Sequence, residues 1–337
     1  MSVGAIVRRV LALAVVGLVL AAGPAAADAA KPGRYSSEVT SVEPDPGTFT
    51  VETAGGDAFL RVSVDEGHEL VVLGYEGELY LRFNADGTVE ENQNSPATYI
   101  NVDRYGTNEL APDELEGTEV TELDPEWKQV ATSGSFAWHD HRTHFMGGER
   151  PAGDAIDWQV PLVVDGQDVT VSGVIRYEGS FSPIPWYAIA LAVLSGLLLA
   201  GTKLPDRVTA GVVVVVAAMA TAVAWVGYSG QPDGTGASIV PAVVGGVALV
   251  LALLALLVER LRAVGLLASG VFLATWGVFR LAVLSNPVLP TTVPFAFERL
   301  VTSLALGVGV GAVVVAFRSG ALTFALLPLD EEDGETD

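Results

Sequence analysis

Residues 157–179 read "DWQVPLVVDGQDVTVSGVIRYEG", from Asp157 to Gly179. Two β-prone runs, "VPLVV" and "VTVSGVIRY", flank the turn signal Asp165-Gly166-Gln167, so the stretch is predicted to be a hairpin. It continues through Ser180-Phe181-Ser182-Pro183 straight into apolar sequence starting at Trp186. The chain therefore divides here, with a strand-forming part ahead and a membrane-spanning part behind. So short a linker keeps the β part close to the bilayer surface.

Upstream of the hairpin, further strand runs recur: "TFTVET", "FLRVSV", "ELVVLGY" and "LYLRF". Turn signals such as Asn84-Ala85-Asp86-Gly87 separate them, and no segment has a convincing amphipathic helical pattern. The expected fold of residues 28–182 is an all-β sandwich of about seven or eight strands, in the immunoglobulin-like class.

Downstream, residues 183–320 form a transmembrane domain. Five apolar spans are expected at about 186–202, 208–228, 238–258, 263–284 and 297–317, each close to the ~20 residues that cross a bilayer core. The first is short and follows Pro183 and Pro185. The loops at 203–207 and 259–262 and the C-terminal side carry Lys203, Arg207, Arg260, Arg262 and Arg318, while the loops at 229–237 and 285–296 carry no Lys or Arg. By the positive-inside rule the β domain is outside and the acidic tail, 321–337, is cytoplasmic in a multi-pass cell-membrane protein. Arg280 and Arg299 fall near outward helix ends, where they are expected to snorkel. Helix centres carry no His or acid, so no translocation pathway is visible. Gly307 and Gly311 have the GxxxG spacing of a helix-dimer face, which makes a homodimer through the membrane helices one option and ordinary close packing the other.

Residues 1–27 have the layout of a signal peptide: Arg8-Arg9, the apolar run Val10–Ala22, and small residues at Ala25–Ala27. There is no cysteine, so an exported domain has no disulfides and no thiolate ligand. Counting residues 28–182 gives 30 acidic and 9 basic side chains, a net of 9 − 30 = −21, out of −22 for the whole chain. Such a field repels nucleic acid and excludes it as a partner. The lipid bilayer is the partner the composition does imply.

Between the strand-rich parts lies Glu90 to Gly153, long and poor in strand pattern, as functional loops often are. Two segments in it stand out. "ENQNSPATYINVDRYG" offers Asn94, Tyr99, Asp103, Arg104 and Tyr105 for recognition of a polar ligand, or for satisfying its own loop backbone. "WHDHRTHFM", Trp138 to Met146, holds three of the chain's 4 histidines. In an extended chain His139 and His141 point one way and Trp138, Asp140 and Arg142 the other. His144 and Met146 join the first pair only if the chain turns near Thr143. The two segments are expected to meet at one end of the sandwich.

Three roles for this motif compete. Imidazoles with Met lean towards copper, and imidazoles with a carboxylate towards zinc, which makes His139, His141, His144 and Met146 candidate metal ligands. Trp138, Asp140 and Arg142 equally suit ligand recognition or an internal hydrogen-bond network, and Arg142 opposes a metal's charge. A catalytic role finds no support in the motifs. There is no Gly-x-Ser-x-Gly elbow, P-loop, His-Glu-x-x-His or dinucleotide turn, and a non-enzyme is expected. His68, after Asp65-Glu66-Gly67, is expected to serve a turn.

Several ordered motifs, "GHELVVLGYEGELYLRF", "NSPATYIN", "DRYG", "WHDHRTHFM" and the strands around "VDGQDVTVSG", resemble those of a family of uncharacterised actinobacterial membrane proteins. In that family the position of Phe145 is often Trp. The resemblance implies an exported β domain ahead of a helical anchor and brings no activity or ligand with it. The expected function is that of a membrane-anchored extracytoplasmic binding protein, capturing copper or zinc in its sharpest form. The alternative is an envelope scaffold that binds protein partners, with the His motif as internal structure.

Overall fold

A computed structural model describes residues 30–102, 104–106, 111–112, 115, 119–147, 155–232 and 235–319. The expected signal peptide at 1–27, the tail at 321–337 and Asp103 lie outside the described residues. An N-terminal antiparallel β region is followed by a C-terminal helical region.

The β region has ten strands: β1 Tyr35–Glu43, β2 Phe49–Ala54, β3 Phe59–Val64, β4 Leu70–Leu73, β5 Leu79–Phe83, β6 Val89–Asn92, β7 Trp127–Ala131, β8 Ser135–Trp138, β9 Ala155–Val164 and β10 Gln167–Tyr177. They form a seven-stranded sheet, β1-β10-β9-β4-β5-β6-β7, and a three-stranded sheet, β2-β3-β8. The two share a core, in which Phe49, Leu60, Val62 and Trp138 of the smaller sheet join Leu70, Leu81, Val160 and Leu162 of the larger. A seven-and-three division is not the four-and-three division of an immunoglobulin domain, and that class is not seen.

The β9–β10 hairpin forms as its sequence asks. Val164 pairs with Gln167, leaving Asp165 and Gly166 as a two-residue loop with φ of 49° and 80°. Positive φ at both positions is the type I′ turn whose twist matches the strands. Asp165 Oδ1 accepts the Glu69 backbone N–H at 3.0 Å, and Oδ2 lies 2.8 Å from His68 Nδ1, so His68 does serve a turn. Along β9, Trp158, Val160, Leu162 and Val164 are buried in strict alternation, the period of a strand with one face on the core. Strands β1, β6, β7 and β8 escaped the sequence reading. Polar runs such as "YSSEVTSVE" carry little apolar alternation, and their pairing partners decide them.

In the helical region four helices are long and apolar enough to cross a membrane: α3 Asp206–Ser229, α4 Val240–Leu257, the segment Glu259–Phe279 that contains α5 (Arg262–Phe279), and α7 Phe295–Arg318. The helix preceding them, α2 Ile184–Ala200, has 17 residues and is shorter. A one-turn helix in the β region, α1 Pro96–Ile100, is capped by the Ser95 side chain. The expected span 263–284 breaks at Arg280, and a short helix, α6 Leu281–Ser285, follows.

The glycines of α7 are used within the chain. A Cβ at Gly307 would lie 2.4 Å from the Ala190 carbonyl of α2, and one at Gly311 would lie 3.0 Å from Leu197. The GxxxG face is therefore covered by α2 and is not open to a second copy. A Cβ at Gly309 would lie 2.5 Å from the Ala274 backbone nitrogen of α5.

The two regions touch. Gly33 and Val288 exchange backbone hydrogen bonds at 3.0 and 3.2 Å. Arg299 stacks on Phe181, with its guanidinium 4.0 Å from the ring centroid, and donates to the carbonyls of Val283, Asn286 and Pro287. Arg299 is buried and Arg280 pairs with Glu298, so both turn inward where snorkelling was expected. The carbonyls freed where the chain leaves α6 draw Arg299 in, because they have no helical partners.

Candidate functional site

Strand β8 ends at Trp138 and the chain turns at once. The Thr143 backbone N–H and hydroxyl both donate to the Asp140 carbonyl, at 2.9 and 3.0 Å. This turn brings His144 back beside His139 and His141.

Asp140 is fully buried and closed upon its own neighbours. Its Oδ1 accepts from Arg142 N and Nε at 3.0 and 2.8 Å, and Oδ2 accepts from Arg142 Nη2 at 2.7 Å and Trp138 Nε1 at 3.0 Å. Arg142 Nη1 donates to the Leu73 carbonyl at 3.1 Å, with the guanidinium 4.9 Å from the Tyr75 ring centroid. Burial alone would push the Asp140 carboxyl up, but the charge and hydrogen bonds of Arg142, with Trp138, hold it below the usual value. Trp138, Asp140 and Arg142 thus form an internal network that ties β8 to the end of β4.

The imidazoles lie on the other side. His144 sits between the other two, its ring centroid 6.1 Å from His139 and 5.1 Å from His141. His139 is buried against Phe59, with ring centroids 4.3 Å apart. The Arg104 carbonyl, which only accepts, lies 3.1 Å from His144 Nε2. The hydrogen is therefore assigned to Nε2 and the lone pair to Nδ1, and Nδ1 is buried with no hydrogen-bond partner. Burial, helped by the Arg104 charge, pushes the His144 pKa down to about 4, so the ring is neutral at physiological pH.

Met146 Sδ lies 2.8 Å from His144 Nε2, the nitrogen that carries the hydrogen. The thioether and the Nδ1 lone pair therefore lie on different edges of the ring. Among the described residues, no group of three or more His, Cys, Asp or Glu side chains is arranged to hold a metal ion.

No family model, curated protein or solved structure matches this chain.

The two segments expected to meet do so through Arg104 and Tyr75. Arg104 forms a bidentate pair with buried Asp57, at 2.9 and 2.6 Å, and donates to the Phe145 carbonyl at 3.3 Å. Tyr75 donates to Asn101 at 2.5 Å and accepts the His141 backbone N–H at 3.0 Å. Other candidates serve their own loop: Asn94 donates to the Asp124 carbonyl at 2.9 Å, and Tyr99 to that of Gln93 at 3.0 Å. Tyr105 is exposed. Asp57 and Tyr75 were missed as site residues, since each lies far along the chain from the residue it binds; Asp57 belongs to no motif, and Tyr75 was read only as part of a strand run. Beside the imidazoles opens a cleft of about 420 Å³, lined by His139, Arg104, Tyr105, Phe145 and, from the helical region, Asn286.

Proposed function

We propose that this chain is a membrane-anchored extracytoplasmic binding protein that captures a transition metal, copper or zinc, at His144. The observation that carries this reading is the state of the His144 ring. One nitrogen is fixed by a backbone carbonyl, and the other holds a buried lone pair without a partner. Metal-ligating imidazoles are oriented in this way, by a hydrogen bond from the nitrogen that does not bind. His141 and His139 are the neighbouring donors, and Met146 is a soft donor only if the ring flips. The adjoining cleft reaches the cluster at His139 and serves as the entry path.

The same proposal places the β domain outside the cytoplasm, with α2 as a fifth span and the C-terminus inside, in the layout of the actinobacterial family resembled by the sequence. Lys203, Arg207, Arg260, Arg262 and Arg318 at the far end of the bundle support that orientation. A girdle of exposed aromatics, including Tyr187, Trp225 and Phe279, at the end near the β region supports the placement of the bundle in a bilayer. The role is non-enzymatic.

A second reading, an envelope scaffold, is favoured by the closure of Asp140 on Arg142 and Trp138, which leaves those three nothing to offer a ligand. Titrating the full-length protein in detergent with Cu(I), Cu(II) and Zn(II) separates the two. Metal capture requires stoichiometric binding that His144→Ala abolishes and the His139→Ala/His141→Ala variant weakens, with the fold intact. Equal weak binding by wild type and His144→Ala leaves the scaffold.

A further inference from the structure

At the junction of α3, α4, the α5–α6 break and α7 lies a second cavity, of about 210 Å³, whose lining includes Tyr228, Gln231, Pro241, Phe279, Arg280 and Glu298. Glu298 is 1% exposed, in the first turn of a candidate membrane span, where a carboxylate is costly and is kept for a purpose. Its Oε1 accepts from Arg280 Nη2. Its Oε2 is buried with no hydrogen-bond partner, and so is Arg280 Nε on the other half of the pair. The Arg280 guanidinium lies over the Trp276 ring, 5.0 Å from its centroid.

The chemistry of an occupant follows from what is unmet. Oε2 calls for a donor and Arg280 Nε for an acceptor, and each left alone carries the desolvation cost of a buried charged group. Since Glu298 and Arg280 already neutralise each other, an occupant with a net charge would unbalance the site. A lone cation or a lone anion would meet one demand and aggravate the other. A zwitterion meets both.

The depth of the cavity fits this. Trp225, Phe279 and Phe297, 53%, 71% and 42% exposed, ring the same end of the bundle, as aromatics do at the level of lipid head groups. The space also exceeds the ~30 Å³ share of a single water, the occupant that would otherwise satisfy both atoms.

We propose that the cavity walled by the Glu298–Arg280 pair binds a small zwitterion, its ammonium on Glu298 Oε2 and its phosphate or carboxylate oxyanion on Arg280 Nε. An amino-phospholipid head group and a free phosphoethanolamine-like solute supply the same chemistry.

Two arms separate these sources, using full-length protein. In the first, native mass spectrometry follows lipid retained from nanodiscs of equal phosphatidylethanolamine and phosphatidylglycerol. In the second, free phosphoethanolamine is added to delipidated protein in detergent and the melting temperature is read. A lipid ligand gives ~10-fold preferential retention of phosphatidylethanolamine, the scale of one charge-assisted hydrogen bond, lost in Glu298→Gln. A soluble ligand gives an upward melting shift without that preference. Should Glu298→Gln fail to fold, Ala237→Trp decides the matter, because it fills the cavity wall and leaves the ion pair in place. Equal retention of both lipids with no melting shift means water alone occupies the cavity and overturns the proposal. Wild-type behaviour of Ala237→Trp in both arms does the same.

Discussion

The carboxylate of Asp140 and the guanidinium of Arg142, two residues apart, meet in a bidentate contact at 2.8 and 2.7 Å with the acid wholly enclosed. A buried pair of this kind is held in place by the loss that follows when one partner is removed. Asp140→Ala strands Arg142 beside Tyr75 and is expected to destabilise the β region by about 3–5 kcal/mol. Replacing both residues by apolar ones of similar volume is expected to cost less than that single change. Melting curves of the two variants in detergent check the order.

Acid should weaken the fold through His144. Its folded pKa, about 4, lies below the ordinary 6.5, so the unfolded chain takes up the proton first. Stability is complete above about pH 6.5, declines as pH falls towards 4, and loses no more through this group below that. The full effect is on the order of 3 kcal/mol. Asp140, held below its usual value, loses its contribution only at still lower pH. Melting temperature measured between pH 7 and 4 should fall in wild type and fall less in His144→Gln.

Gly173 lies under the Trp158 ring, where a Cβ would sit 2.1 Å from Cζ2. Trp158 cannot swing aside freely, because its Nε1 donates to Ser37 Oγ at 2.9 Å. Gly173→Val is expected to cost about 1–3 kcal/mol by overpacking and to raise hydrogen exchange across β1 and β10. Unchanged exchange there would refute the stated cause.

In the helical region, Gly309→Val drives a side chain into the backbone of α5. Loss of about 1–3 kcal/mol is expected, with unchanged oligomeric state by light scattering, since that face packs within the chain. Gly246, with nothing within 4 Å of a Cβ, is the control, and Gly246→Ala should be neutral.

At the junction, Arg299→Met keeps an unbranched apolar side chain but removes the guanidinium from Phe181 together with its donors to Val283, Asn286 and Pro287. Faster exchange of the Gly33 and Val288 amides, with the core of α7 unaffected, is the expected result.

The sequence by itself determined what is local. Period-two burial along β9 and the Asp165-Gly166 turn are written in consecutive residues and found in place, and of the five apolar runs expected to span a bilayer four form helices long enough to do so, while the first forms a shorter one. The clustering of the histidines was legible for the same reason, as was the chance of a bend at Thr143. Tertiary structure decided everything that depends on partners distant along the chain. Polar strands such as β1 became strands because β10 was there to pair with them. The motif was split into an internal Trp138–Asp140–Arg142 network and a separate imidazole face, because Leu73 and Tyr75 took one side while Phe59 and Arg104 took the other. Arg280 and Arg299 turned inward because Glu298 and the free carbonyls after α6 awaited them, and local hydropathy carries no record of such an encounter.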